Sequence, residues 1–233
     1  MTVLTPETQP FANRRIERAL KNCQNAGFQV LYMPQVVDDR INGTAGWYSA
    51  WDLTTKDLQF KSGVYVTPSI AITGKTRQGS KIVVYAHLPT SLATPQGIQR
   101  AKQKGLVNGA ARFSQAKLQS LVDADGKTDE QGNRLIWVNE YKPSKPLEEY
   151  VPIDKAITDQ EIISFLGGEQ RAARYLSTHA QEFDAENIFV RYANDFSKES
   201  PLARLLFVGL INYGLGGGSL EGFGQFLGKS QAT

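Results

Sequence analysis

The chain has 233 residues, of which 41% are hydrophobic and 21% are charged, and its formal net charge is +3. This composition is typical of a globular protein with one domain or two small ones. No apolar run approaches the roughly 18 residues of a membrane-spanning helix, and the first residues lack the basic and apolar regions of a secretory signal. We therefore expect a cytoplasmic protein, and the single cysteine, Cys23, excludes an internal disulfide.

The charges are distributed unevenly along the sequence. Residues 58–122 carry nine basic side chains and no acidic one, whereas residues 123–233 have a net charge of −6. An exposed charged surface usually mixes both signs, so this basic segment favours a polyanionic partner, with nucleic acid as the first candidate. The alternative is a chance fluctuation in a strand-rich region, where Asp and Glu are disfavoured. A membrane partner is not expected, because these cations do not form one amphipathic helix.

The N-terminal part of the chain predicts one helix and two strands. An apolar face with helical spacing starts at Phe11, and Gly27 is placed as its stop. Phe28–Met33 and Trp47–Leu53 are rich in β-forming residues and are separated by turn residues, which predicts two strands. We expect these elements to belong to an N-terminal α+β unit.

The basic segment predicts a β-hairpin followed by two helices. Two β-branched runs, 64–73 and 81–88, flank a glycine-bounded loop whose cations project away from the sheet. Thr94 and Pro95 are a typical N-cap and first-turn pair for a short helix, and residues 113–122 predict a second amphipathic helix.

Prolines mark a predicted linker, residues 141–152, between an N-terminal unit, residues 1–140, and a C-terminal unit, residues 153–233. In the C-terminal unit, a capping-box pattern and glycine stops predict two helices, and a strand follows within 186–196. A last helix is predicted over 202–213, because these residues are apolar nearly all round and thus suited to a buried helix.

The last predicted helix leads into a glycine-rich loop over 213–226. Its pattern is hydrophobic-Gly-hydrophobic-Gly, five residues, then Gly-hydrophobic-Gly-x-hydrophobic. No Gly-Lys-Ser/Thr sequence ends it, which excludes a phosphate-binding P-loop, and its helix–loop–strand order excludes a dinucleotide fingerprint. The spacing, the preceding helix and the C-terminal position resemble the glycine-rich loop of the CRISPR-associated RAMP superfamily. The structural alternative is a tight turn over a helix.

The resemblance implies an α+β fold of one or two ferredoxin-like, RRM-related units with antiparallel sheets, a basic hairpin insertion and the C-terminal glycine-rich loop. It implies a CRISPR RNA-binding subunit of a multisubunit effector ribonucleoprotein complex in antiviral defence, which holds guide RNA by its backbone. Its partners would be guide RNA, target nucleic acid and the other subunits of the complex.

Two groups of residues are candidates for RNA binding. The loop glycines follow from the resemblance, and the cations are supported independently, because Lys and Arg contacts to phosphates dominate nucleic-acid affinity. Tyr65, Tyr85 and Phe113 could in addition serve as platforms for unstacked bases. The candidates for backbone contacts are Lys75, Arg77, Lys81, Arg100, Lys102, Lys104, Gly214, Gly216, Gly222 and Gly224.

Two alternative functions are open. One branch of the superfamily comprises metal-independent endoribonucleases that process CRISPR precursor RNA, often with a histidine as general acid or base. Here His87, at the end of a predicted strand, is the catalytic candidate. That branch usually places its histidine after the first helix, and residues 29–46 contain none, which disfavours cleavage. The other alternative is a non-enzymatic viral or structural protein that contacts nucleic acid. None of these readings calls for a metal or a cofactor.

Overall fold

The computed structural model describes residues 8–45, 50–51, 60–61, 64–142, 146, 148–192, 201–209, 214–222 and 224–230. The strands are β1 (Thr8–Asn13), β2 (Phe28–Val30), β3 (Ala50–Trp51), β4 (Phe60–Lys61), β5 (Tyr65–Lys75), β6 (Lys81–Ala86), β7 (Ala111–Arg112), β8 (Ile136–Glu140), β9 (Glu148–Pro152), β10 (Asn187–Arg191), β11 (Leu202–Val208), β12 (Leu215–Gly218) and β13 (Gly224–Ser230). The helices are α1 (Ile16–Asn25), α2 (Met33–Ile41), α3 (Pro95–Gln103), α4 (Gln115–Val122), α5 (Ile153–Ala156), α6 (Gln160–Leu166) and α7 (Glu169–Phe183).

An eight-stranded sheet organises the molecule. Seven of its strands lie in the order β8-β6-β5-β11-β12-β10-β9, and β7 pairs with β11 beside this path. Neighbouring strands are antiparallel, except for the parallel pair β10 and β12. The predicted hairpin is confirmed as β5 and β6, with Lys75 opposite Lys81. It lies in the body of the sheet and is therefore not an insertion.

A smaller sheet joins the two ends of the described chain. β13 lies between β1 and β2 and pairs antiparallel with both, so that Asn13 lies opposite Gly224 and Val30 opposite Gly228. Helix α1 packs against this sheet. At Gly228 the approach is so close that a Cβ atom would lie 2.7 Å from Sγ of Cys23. The first and last described strands thus close the fold.

Apolar clusters lie on both faces of the large sheet. On one face, Leu206 and Leu215 belong to a cluster with residues of α2, α6 and α7. On the other face, Ile70 and Leu205 belong to a second cluster with residues of α1, α3 and α4. Strand β11 therefore contributes to both clusters and is buried on both sides.

Two predictions about the fold are wrong. The last predicted helix, 202–213, is strand β11 over Leu202–Val208, while 210–213 lie outside the described residues. A strand buried on both faces is apolar at every position, so its pattern is the same as that of a buried helix. The ferredoxin-like, RRM-related units are also wrong, because such a unit is a βαββαβ arrangement, whereas here one large mixed sheet is combined with a sheet that pairs the chain ends.

The N-terminal predictions are corrected in part. Phe11 lies in strand β1, and the helix begins only at Ile16. The predicted strand Phe28–Met33 ends at Val30, and Met33 begins α2, which no pattern had predicted. Of the predicted strand Trp47–Leu53, the structure describes Ala50 and Trp51, which form β3.

Helices α3, α4, α6 and α7 agree with their sequence signals. The side-chain hydroxyl of Thr94 accepts a hydrogen bond from the backbone N–H of Gly97. Thr94 is therefore the N-cap of α3, as predicted. Asp159 caps α6, and Gly167 ends it in the left-handed conformation with φ of 86°. No described helix combines the length and the apolar character needed to cross a membrane; the compartment itself stays a prediction.

The predicted division of the chain at residues 141–152 also stays a prediction. Strand β9 lies within that stretch and pairs with β10. Strands from before and after it share the large sheet in the described part of the chain.

A buried polar network connects the large sheet to its helices. Nε2 of His87 donates a hydrogen bond to the carbonyl oxygen of Ser164 on α6, with an N–O distance of 2.8 Å. Nδ1 of His87 lies 3.1 Å from Oγ of Ser69 on β5, which accepts from the backbone N–H of Met33 on α2. Because a carbonyl oxygen can only accept, the imidazole proton is on Nε2, and the Ser69 hydroxyl donates to Nδ1.

Burial lowers the pKa of His87 to about 4, and the nearby Arg171 guanidinium acts in the same direction. In the unfolded chain the imidazole titrates near its ordinary pKa of 6.5. Between these two values the unfolded state binds more protons than the folded state. The stability that depends on neutral His87 is therefore complete above about pH 6.5 and decreases as the pH falls toward 4.

Replacing His87 with Gln removes this titrating group. Between pH 7 and pH 4.5, we expect the free energy of unfolding to fall by about 2 kcal/mol more in the wild type than in His87→Gln. Urea unfolding across that pH range measures the difference, and the other titrating groups, among them buried His179, are common to both proteins. Parallel pH profiles of the two proteins would contradict the prediction.

Alanine at position 228 tests the packing of α1 on the small sheet. The new Cβ would lie 2.7 Å from Sγ of Cys23 and 2.9 Å from the Phe11 ring, so we expect Gly228→Ala to destabilise the fold by about 2 kcal/mol. Gly222→Ala is the control, because its nearest neighbour would be 3.7 Å away, and it should change the stability by less than about 0.5 kcal/mol. Equal thermal unfolding temperatures of the two variants would refute this account.

Candidate functional site

The part of the large sheet formed by β9, β10 and β12 has one buried side and one exposed side. Along β10, Ile188 and Val190 are buried in the core, so the alternating residues Phe189 and Arg191 point to the other side. Tyr150 of β9 lies opposite Phe189. We call this surface the open sheet face and define it by Glu148, Tyr150, Phe189 and Arg191.

An aromatic pair lies on the open sheet face. The ring centroids of Tyr150 and Phe189 are 5.2 Å apart. Tyr150 is 56% exposed and stands out among the described residues as an exposed large hydrophobic side chain. Exposed tyrosines that are already held by a neighbour are typical of surfaces that bind a partner, because little conformational entropy is lost on binding.

An ion pair lies beside the aromatic pair. Nε of Arg191 is 3.0 Å from Oε1 of Glu148, and both side chains are about half exposed. Water screens such a pair, so it contributes little to folding. Its guanidinium and carboxylate groups lie next to the aromatic rings and are accessible to a partner.

Glycines allow strand β12 to lie close to its neighbours. A Cβ at Gly216 would be 2.9 Å from Cβ of Arg191 and 3.0 Å from the ring of Phe207. Gly214 has φ of 33°, and a Cβ there would lie 1.6 Å from the carbonyl oxygen of Phe189. These glycines are therefore required by packing within the sheet.

The other predicted glycines have different surroundings. A Cβ at Gly224, the first residue of β13, would lie 2.6 Å from Cγ1 of Ile16 on α1. Gly222 has space around it. Gly214, Gly216 and Gly224 are buried by the protein itself, and Tyr213 and Phe223 of the predicted loop lie outside the described residues.

The structure separates the predicted cations from the predicted glycines. Lys75 and Lys81 flank the β5–β6 hairpin tip, near the residues that pair with Leu202, whereas Gly216 pairs with Phe207 toward the other end of β11. Arg77 lies exposed in the tip. The hairpin cations and the glycines thus do not form one site.

The cations of α3 form a separate group. Arg100 and Lys104 are exposed. Nζ of Lys102 lies 2.6 Å from Oε2 of Glu17 on α1. This ion pair joins α3 to α1. The Glu17 carboxylate is mostly buried and needs its partner, so Lys102 is not free to bind a ligand.

The predicted catalytic and base-stacking residues are buried. His87 is 3% exposed, and both ring nitrogens are used in the network described above. Tyr65, Tyr85 and Phe113 are core residues. His87 therefore has a structural role. The rings of Tyr65, Tyr85 and Phe113 are not accessible for stacking by nucleic-acid bases.

A polar cleft of about 500 Å³ lies near the start of α7. Arg171 and Asp38 line it and form a two-point ion pair, with N–O distances of 2.8 and 3.1 Å. In the described part of the chain, no group of three His, Cys, Asp or Glu side chains is arranged to hold a metal ion. The cleft offers hydrogen bonding but no nucleophile paired with a base.

Sequence reasoning missed four residues of the open sheet face: Glu148, Tyr150, Phe189 and Arg191. The β10 sequence NIFVR has three successive apolar residues at its centre, so it favours a strand but shows no alternation of polar and apolar residues. Which of its faces is exposed depends on the strands that pair with it and cannot be derived from this run alone.

Comparisons with known proteins identify the architecture. No protein-family model matches the chain, and the curated proteins give no match. A solved structure from work on Nanoarchaeota, described as the accommodation of massive sequence variation by the C-type lectin fold, is 32% identical and superimposes with a TM-score of 0.76. The alignment covers 98% of this chain and 100% of that chain, so the likeness includes the large sheet and the sheet that pairs the chain ends.

This likeness overturns the resemblance to the CRISPR-associated RAMP superfamily. The functions inferred from that resemblance, a CRISPR RNA-binding subunit or a processing endoribonuclease in antiviral defence, are corrected with it, and the nucleic-acid-contacting structural protein has no support either. The resemblance needed a helix ahead of the glycines, and that segment is strand β11. The individual RNA-binding residues stay predictions that no comparison tests.

Alanine at position 214 tests the role of the glycines. The added Cβ would meet the Phe189 backbone, which cannot move without breaking the β10–β12 pairing, so we expect Gly214→Ala to lose about 3 kcal/mol of stability. Gly218→Ala, at the other end of β12, is the control, because its Cβ would have ordinary contacts at 3.5 Å or more. Guanidinium unfolding of both variants measures the effect, and a Gly214→Ala protein as stable as Gly218→Ala would disprove it.

Proposed function

Because the chain belongs to the C-type lectin-fold family, we propose that it is a binding protein that recognises a partner through the open sheet face. The observation that carries this proposal is the aromatic pair of exposed Tyr150 and half-buried Phe189, on strands whose other side is packed in the core. The remainder of the fold serves as a fixed frame.

The separation of frame and surface supports the proposal. Val151, Ile188 and Val190 point into the core from the same strands whose alternate residues point outward. Substitutions of outward residues that make few contacts usually change stability by less than about 0.5 kcal/mol. The face can therefore change its chemistry without loss of the fold, which agrees with the sequence variation described for the nanoarchaeal relative.

The residue types of the open sheet face favour a macromolecular partner. Tyrosine and arginine are enriched at the centres of protein interfaces. We therefore propose that the partner presents a protein surface.

Two libraries test this proposal. In one, the outward residues Glu148, Tyr150, Phe189 and Arg191 are randomised; in the other, the inward residues Val151, Ile188, Val190 and Leu215 are randomised. We expect most open-face variants and few inward variants to resist protease on the surface of yeast, because only the inward positions are buried.

Selection of the first library against a purified target protein tests recognition itself. We expect binders with micromolar or tighter affinity. Replacement of the selected residues with serine should abolish binding while the unfolding temperature stays unchanged. An open-face library that unfolds as often as the inward library, or yields no binder, would refute the proposed function.

A further inference from the structure

Five exposed cations lie at one end of the large sheet. Lys75 and Lys81 face each other across the β5–β6 hairpin. Leu202 of β11 pairs with Thr73 on one side and with Arg112 of β7 on the other, which brings β7 to the same end of the sheet. We call this region the basic end surface and define it by Lys75, Arg77, Lys81, Arg112 and Lys117.

The basic end surface is held on a fixed frame. Within the hairpin tip, the backbone N–H of Thr76 donates to the carbonyl oxygen of Ser80 over 2.9 Å. The side-chain amide of Gln115, the first residue of α4, donates to the carbonyl oxygen of Lys75 over 2.7 Å. Leu118 of α4 packs so closely on Gly74 that a Cβ there would lie 2.6 Å from Cδ2 of the leucine. The hairpin and α4 therefore present their cations together.

Part of the positive charge of the basic end surface is not neutralised by the described residues. Neither Lys75 nor Arg77 forms an ion pair with a described carboxylate, and the segment 58–122 contains no acidic residue. An anionic partner would neutralise these charges, so the surface is suited to bind one.

The side chains around the cations narrow the class of partner. The nearby rings are already covered: Nζ of Lys117 lies 5.1 Å from the centroid of buried Phe113, and Nζ of Lys81 lies 5.6 Å from that of Tyr141. Single-stranded nucleic acid is usually held by exposed aromatic rings, and peripheral membrane binding by exposed apolar side chains. The described exposed large hydrophobic, Tyr150, lies instead on β9 at the edge of the sheet.

We propose that the basic end surface binds an acidic segment of a partner protein. Carboxylates form charge-assisted hydrogen bonds with Lys and Arg without stacking or insertion. The exposed polar side chains Gln78, Ser80 and Gln115 lie between the cations along the chain and can hydrogen-bond to a peptide backbone. This surface lies on other strands than the open sheet face, and its function does not depend on the function proposed for that face.

Charge reversal at the hairpin tests the inference. The variant Lys75→Glu/Arg77→Glu/Lys81→Glu is compared with Arg14→Glu/Arg18→Glu/Lys21→Glu, which changes three exposed cations at and before α1 and alters the net charge equally. Fluorescence anisotropy with a labelled poly-glutamate peptide, at low and at physiological salt, measures affinity. We expect the hairpin variant to bind at least about tenfold more weakly than the wild type and the control variant less than about threefold more weakly.

Circular dichroism and thermal unfolding verify that both variants fold. If the hairpin charge-reversal variant does not fold, Lys75→Gln/Arg77→Gln/Lys81→Gln is used in its place. Duplex DNA, single-stranded RNA and vesicles of phosphatidylcholine with phosphatidylserine are titrated in parallel. Tighter binding of any of these than of the peptide would overturn the inference. Equal losses of peptide affinity in the two charge-reversal variants, or no binding of the peptide to the wild type at low salt, would overturn the inference as well.

Discussion

The antiparallel pairing of β1 with β13 is the constraint on which the rest of the structure depends. It brings residues near the two ends of the chain together, from Thr8 opposite Lys229 to Asn13 opposite Gly224. The entropy cost of closing a loop grows only slowly with its length, so once the ends are joined, changes in length or sequence between them cost little. The closure needs glycine at Gly224 and Gly228, where α1 lies directly on the strand. A frame closed in this way can tolerate variable surfaces.

Two buried polar groups fix the helices on one face of the large sheet. His87 connects β5, α2 and α6 as described, and Arg40 connects α2 to α7 and to the end of β11. Nη1 of Arg40 donates to the hydroxyl of Tyr175 over 2.8 Å and to the carbonyl oxygen of Gly209 over 3.2 Å. Such directional bonds specify one arrangement, whereas apolar contacts alone allow several. Because the packed side of the sheet is fixed, the outward residues of the open sheet face keep their positions whatever their identity.

The elements that could be predicted from the sequence have local signals. The Thr94 cap predicts helix α3, and Asp159 and Gly167 predict the two ends of α6. The glycine-bounded loop predicts the hairpin. Strand β11 could not be predicted, because its apolar run becomes a strand only through β5 and β12 on its two sides. The candidate site shares this dependence: Tyr150 and Phe189 are far apart in the chain, and only the β9–β10 register brings them together.

The glycine-rich segment shows why a motif can be matched for the wrong physical reason. A loop that approaches a ligand and a strand that approaches its neighbours both require residues without a Cβ, so spacing alone does not distinguish them. Here the neighbours are Phe189, Phe207 and Ile16 of the protein itself. The charge of the basic segment is different evidence, since it is a property of composition and holds whichever fold carries it. The fold determines only where those charges lie, and it brings five of the nine cations to the hairpin end, whereas the aromatic pair lies on β9 and β10. Substitutions at two sites without shared contacts have additive effects, so each surface can change without altering the other.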